Sequence, residues 1–114
     1  ARVILYHKRV LRDMTEIFSG TMAEMDLIER HILMLKVTKE NQPVGIIRLS
    51  ELTGLPKHKV RYSLRLLEKD GLIVATQEGA TVSDKYDEFM ADLSKRLDEI
   101  ISRVDAMREK IAKS

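Results

Sequence analysis

Six side chains of one short segment hold the chemistry most directly readable from this sequence. His58, Arg61, Tyr62, Arg65 and Lys69 recur at i, i+3, i+4, i+7 and i+11, and Lys57 stands beside the first of them. On an α-helix that spacing places them on one face. Lys59 adds to the charge, so that residues 57–65 contain four bases, a His and no acid. Lysines in such a stripe neutralise phosphates, and an arginine can fork onto a guanine edge. A helix of ordinary width also fits the major groove of a B-form duplex. The same residues suit a solvated basic face on a core helix. Their place in the fold decides between the two.

Other chemistry is poorly supplied. Cysteine is absent, which excludes disulfides, thiolate nucleophiles and Cys-based metal sites and fits a reducing compartment. His7, His31 and His58 are far apart and lack ligand spacing. His7, on an apolar stripe, reads as a packed interface residue. There is no glycine-rich phosphate loop and no nucleophile elbow. Asp92, Asp98, Glu99 and Asp105 read as a solvated helix face. The sequence therefore predicts no enzyme, no cofactor and no metal.

The 114 residues suffice for one small domain with an extension. Hydrophobic residues at 44% allow a core, and aromatics at only 4% make it aliphatic. Charged residues at 33% suit long exposed helix faces. No apolar run approaches the roughly 18 residues that span a bilayer. The apolar start at Val3–Tyr6 breaks into His7, Lys8 and Arg9, which is not the form of a signal peptide.

Periodicity divides the chain. Ile4, His7, Leu11, Met14 and Phe18 predict a helix over 3–18, which Ser19-Gly20-Thr21 is expected to end. A second helix is expected over about 22–39, with Met25, Ile28, Ile32 and Leu35 inward, stopped before Pro43. Residues 44–47 form a β-prone run and 49–53 a short helix. A stronger helix follows from about Pro56 to Lys69. Residues 72–76 and 80–82 read as a hairpin around Gln77-Glu78-Gly79. Ser83 is placed to cap a last helix, with Asp84, Asp87 and Glu88 near its start.

Helix, short strand, short helix, turn, helix and hairpin is the order of a winged helix-turn-helix. Leu52, Leu55, Val60, Leu64 and Leu67 would hold its two helices, with Ile28 and Ile32, in the core. Over residues 26–82 the chain resembles the archaeal-type winged helix-turn-helix predicted transcriptional regulators, small proteins with a C-terminal helical extension. The stretch Leu67-Glu68-Lys69-Asp70-Gly71-Leu72-Ile73 is similar to one found in multiple-antibiotic-resistance-type and other winged regulators. The resemblance implies a second motif helix lying in the major groove, with DNA contacts from Lys57, His58, Lys59, Arg61, Tyr62, Arg65 and Lys69. Arg48 stands where relatives often carry a Ser or Thr cap and is assigned to a phosphate. The hairpin tip carries Glu78 and no base, unlike wings that reach the minor groove.

Beyond Ser83, the residues Tyr86, Met90, Leu93, Leu97, Ile100, Val104, Met107 and Ile111 alternate spacings of four and three. About four heptads of that kind make a coiled-coil seam of roughly 39 Å, which Ile101 broadens. Self-association through this seam is expected. Its flanks, with Arg96, Arg103 and Lys110 on one side and Arg108 on the other, leave parallel and antiparallel pairing open, and the 3–18 helix is a candidate to join it.

The expected fold is thus mainly α with a small β-hairpin. Residues 1–20 form an N-terminal amphipathic helix, 21–82 a winged DNA-binding domain and 83–114 a dimerisation helix. The expected function is a homodimeric, sequence-specific transcriptional regulator that binds double-stranded DNA, cytoplasmic and nucleoid-associated, without a membrane partner. An architectural chromatin-type protein and a winged-helix module that binds protein are the alternatives. The operator, the regulated genes and any small-molecule effector are not encoded in visible motifs.

Overall fold

The computed structural model describes the backbone of residues 2–113 and the side chains of 13–113. Its first element is a single helix, α1 (Arg2–Asn41). The expected break at Gly20 does not occur. A glycine costs a helix only about 1 kcal/mol relative to Ala, and a run of helix formers on both sides absorbs that. Thr21 turns its hydroxyl back onto Ile17 O at 2.8 Å, within the helix. The boundary drawn between residues 20 and 21 therefore falls inside α1. The side chains of Ile4, His7 and Leu11 lie outside the described residues.

Next come α2 (Ile46–Thr53) and α3 (Lys57–Lys69), then β1 (Ile73–Thr76), β2 (Gly79–Val82) and α4 (Tyr86–Lys113). The β-prone run at 44–47 yields one bridge instead of a strand. Val44 exchanges both backbone hydrogen bonds with Ala80, at 3.0 and 2.7 Å. Gly45 then caps α2, which begins three residues earlier than its periodicity suggested. Gly54, at φ 75°, closes α2, and its N–H donates to Ser50 O. Strands β1 and β2 pair antiparallel, Ile73 opposite Val82 and Thr76 opposite Gly79.

The core is aliphatic. Met34, Leu35, Leu49 and Val60 are completely buried, joined by Val44, Leu67, Leu72, Ile73 and Ala80. Two expectations change here. Leu49, not Leu52, anchors α2, because the earlier helix start turns Leu52 outward to 38% exposure. On α1 the deepest residues are Met34, Leu35 and Thr38, while Ile28 and Ile32 are half-buried. The inner face of α3 is Val60, Ser63 and Leu67, with Leu64 half-buried beside them.

Ser83 Oγ accepts the Lys85 N–H, and Ser83 O accepts that of Tyr86. Asp87 and Glu88 occupy the first turn of α4, where carboxylates favour the positive end of the helix dipole. The first heptad of the expected seam is used within the chain, because Tyr86, Phe89 and Met90 pack on the domain core. Lys39 on α1 sits 5.3 Å from the Tyr86 ring centre. Burial, then Asp87 and Glu40, raise that phenol above its ordinary pKa.

The chain measures 63 × 28 × 22 Å. Forty helical residues already span about 60 Å and the 28 of α4 about 42 Å. Helices of those lengths fit within 63 Å only if α4, which starts beside Lys39, heads back toward the start of α1, and it does so without packing closely along that helix. Among the described residues, no helix is long and apolar enough to cross a membrane.

Candidate nucleic-acid interface

Helix α3 starts from Pro56, whose extended backbone and free carbonyl receive the N–H groups of Lys59 and Val60 at 3.0 and 3.1 Å. Its inner face is fixed by burial, and Ser63, fully buried, lies 2.6 Å from His31 Nδ1 on α1. With one face held, the other must point out. Lys57, His58, Lys59, Arg61, Tyr62, Arg65 and Lys69 are all exposed, Tyr62 by 49%. The two ion pairs among the described residues are Arg48–Glu51 and Arg96–Asp92, so none of the α3 cations is consumed by an acid of its own chain.

The site residues divide by location. A shallow concavity at the first turn of α2 is lined by Gly45, Ile46, Ile47, Arg48 and Glu51 with Lys57 and Arg61 of α3. A second groove, between α3 and the hairpin, is lined by Val44 to Ile46, Arg61, Leu64, Arg65, Glu68 and residues of both strands. Arg61 belongs to both. Arg48, Lys57, Arg61 and Arg65 are thereby brought onto one continuous surface, while His58, Lys59, Tyr62 and Lys69 lie on α3 outside the two concavities. Arg48 reaches Glu51 only at 3.5 Å, with both side chains about 60% exposed. An exposed pair of that kind contributes little and leaves the guanidinium free to exchange partners.

The first turn of α2 was missed in the sequence. Its N–H groups have no partner within the helix, and the residues of that turn line the same concavity as Lys57 and Arg61. A glycine is a permitted N-cap, so Gly45 before Ile46 could have signalled this helix start. The β-prone character of residues 44–47 concealed it.

The hairpin tip is held by Thr76, which donates to Gly79 O at 2.7 Å, and Gln77 and Glu78 are exposed there. The hairpin is tied to the end of α1 by the Val82 N–H donating to Gln42 Oε1 at 2.8 Å. At the foot of α4, Asp70, Lys85, Glu88, Asp92 and Lys95 with Leu72 and Phe89 line a concavity of mixed charge. Among the described residues no cluster of His, Asp or Glu is arranged to hold a metal ion.

The seam residues form two groups. Tyr86, Met90, Leu93 and Leu97 are half-buried. Ile100, Ile101, Val104, Met107 and Ile111 are 38–75% exposed. On α1, Met14, Ile17, Phe18 and Met22 are 48–64% exposed.

No protein-family model matches this chain, and no curated protein matches it significantly.

Proposed function

We propose that the protein is a homodimeric, sequence-specific DNA-binding regulator of the winged-helix type, with α3 as the helix that enters the major groove and β1–β2 as its wing. The observation that carries this reading is the outer face of α3: a stripe of cations free of ion pairs on a helix whose opposite face is locked into the core. Arg61 and Arg65, on the exposed face of α3, suit base edges, and Lys57, Arg48 and the α2 first turn suit phosphates on either side. Glu78 at the wing tip disfavours a minor-groove contact there. Two copies joined through their long helices would present two α3 helices to half-sites about 34 Å apart, or a multiple of that. Such a protein would reside on the chromosome.

Selection of bound sites from a random DNA pool tests the reading. A recovered two-fold-symmetric motif, bound at least about 10³ tighter than random DNA at the same salt, is the expected result. Binding without a motif would make the protein architectural. No binding at low salt would remove DNA as the partner.

A further inference from the structure

The Lys39–Tyr86 contact places the start of α4 beside the end of α1. Both helices rise about 1.5 Å per residue, so α4 heading back beside α1 brings Leu97 to roughly the height of Ile28, Val104 to that of Thr21, Met107 to that of Phe18, and Ile111 to that of Met14. The exposed stretch of the α4 seam, Ile100 to Ile111, therefore stands at the height of the exposed stretch of α1, Met14 to Met22. Within one chain neither covers the other, since both remain open. Among the described residues, nine large apolar side chains, four on α1 and five on α4, are therefore exposed on this half of the molecule.

Charge is segregated in the same place. From Asp13 to Glu29, α1 carries five acids and no base. Along α4, Arg96, Arg103 and Lys110 recur every seven residues on one edge of the seam. Helical geometry puts Asp13 and Glu24 together on one edge of the α1 stripe. Glu24 stands within about two residues of the level of Arg103, and Asp13 of the level of Lys110. Neither acid forms an ion pair with those bases in its own chain. Two α4 helices paired antiparallel would set the basic row against itself, and paired in parallel would set Arg103 against Arg108, so either plain α4–α4 coiled coil meets like charges.

We propose that a second copy of this chain covers both stripes at once. The α4 helix of each copy seats on the Met14–Met22 face of the other's α1, with its Arg103–Lys110 edge against the Asp13–Glu24 edge, to give a four-helix bundle. Pairing at equal heights requires a two-fold axis along the bundle, which puts both α3 helices at the same end. The inference rests on the dimer proposed above and specifies its surface, without depending on DNA binding.

The chain has no cysteine, so single cysteines give an unambiguous cross-link test. Phe18→Cys and Met107→Cys proteins, mixed and gently oxidised, should form a disulfide-linked dimer containing one of each, which only an interchain α1–α4 contact produces. In sedimentation, Glu24→Lys and Arg103→Glu should each weaken the dimer about tenfold, and the double variant should recover most of the loss. If Arg103→Glu tightens the dimer while Glu24→Lys leaves it unchanged, the α4–α4 seam is the interface and the proposal is overturned. A wild type that sediments as a monomer at micromolar concentration overturns it as well, and the dimer with it, whatever the DNA titration shows.

Discussion

Ser63 Oγ and His31 Nδ1 lie 2.6 Å apart, a single side-chain bond joining the 40-residue helix to the helix that presents the basic face. Ser63 is fully buried and His31 half-buried. Burial first, then Arg30, hold the imidazole below its ordinary pKa of 6.5, while Asp70 works in the opposite direction. The folded protein thus favours the neutral ring. As pH falls below about 6.5, the unfolded chain takes up its proton before the folded one does, so the stability due to the neutral His31 is complete above that value and declines towards the folded pKa. Urea midpoints should accordingly drop between about pH 7.5 and pH 5.5, and a His31→Asn variant should show a smaller drop. Ser63→Ala should cost about 1 kcal/mol at neutral pH. Equal pH dependence in wild type and His31→Asn would show that the ring does not contribute.

Gly79 is the tightest point of the hairpin. Its φ is 136°, and a Cβ there would lie 2.6–2.8 Å from the backbone C, N and O of Val44. Val44 cannot retreat, because it is buried and holds both hydrogen bonds to Ala80. Gly79→Ala should therefore lose about 2 kcal/mol or more of stability, from backbone strain and lost bridge bonds together. Gly20→Ala, in an exposed helical position with open space around it, should instead gain up to about 1 kcal/mol. Denaturation curves of the two variants should move in opposite directions.

Thr38 is fully buried, and its hydroxyl has no hydrogen-bond partner. An unpaired buried hydroxyl costs stability, and a methyl group of the same shape removes the cost. Thr38→Val should raise stability by about 1 kcal/mol. A loss on urea denaturation would mean that the hydroxyl does find a partner in solution.

Elements whose sequence signals were local and strong were legible. The 4–3 spacing of Val60, Leu64 and Leu67 between Pro56 and Asp70-Gly71 marked α3 to within a residue, and the alternation of spacings placed α4. Gly20 misled because its cost is about 1 kcal/mol, far smaller than what a long helix with a packed C-terminal half supplies. Residues 44–47 misled because a short apolar run has no decisive period, and that error displaced α2 and exchanged Leu49 for Leu52. The α3 stripe could be read from one helix. The concavity joining Arg48, Lys57 and Arg61, the partnership of His31 with Ser63 and the turning of α4 back toward the start of α1 arise only from tertiary placement, between residues that no local pattern connects.

Arg61, which lines both concavities of the basic surface, should be the most costly α3 residue to remove. Arg61→Ala is expected to weaken binding to the selected DNA site by about 1–3 kcal/mol and to relax the base preference at one position. Lys57→Ala should weaken all sequences alike and reduce the salt slope by about one unit. Both positions are exposed, so folding should be unaffected, and circular dichroism checks this. Undiminished binding by a folded Arg61→Ala, Arg65→Ala double variant would remove α3 from the interface.

The long helices should determine affinity through valency. Ile100 is 38% exposed in one chain. An aspartate there would have to be desolvated whenever a second copy covers the seam, and the apolar burial of Ile100 would be lost as well. The core formed by Met34, Leu35, Leu49, Val60 and Leu67 does not include Ile100, so the domain should still fold. Ile100→Asp should therefore give folded monomers. Each monomer then holds one half-site without help from the other. Linking two binding events ordinarily gains about 10²–10⁴ in avidity, and affinity for a two-fold site should fall by a comparable factor, with affinity for an isolated half-site unchanged. Light scattering and titration against full and half sites measure both quantities. A variant that remains dimeric, or a monomer that binds the full site undiminished, would separate the long helices from DNA recognition.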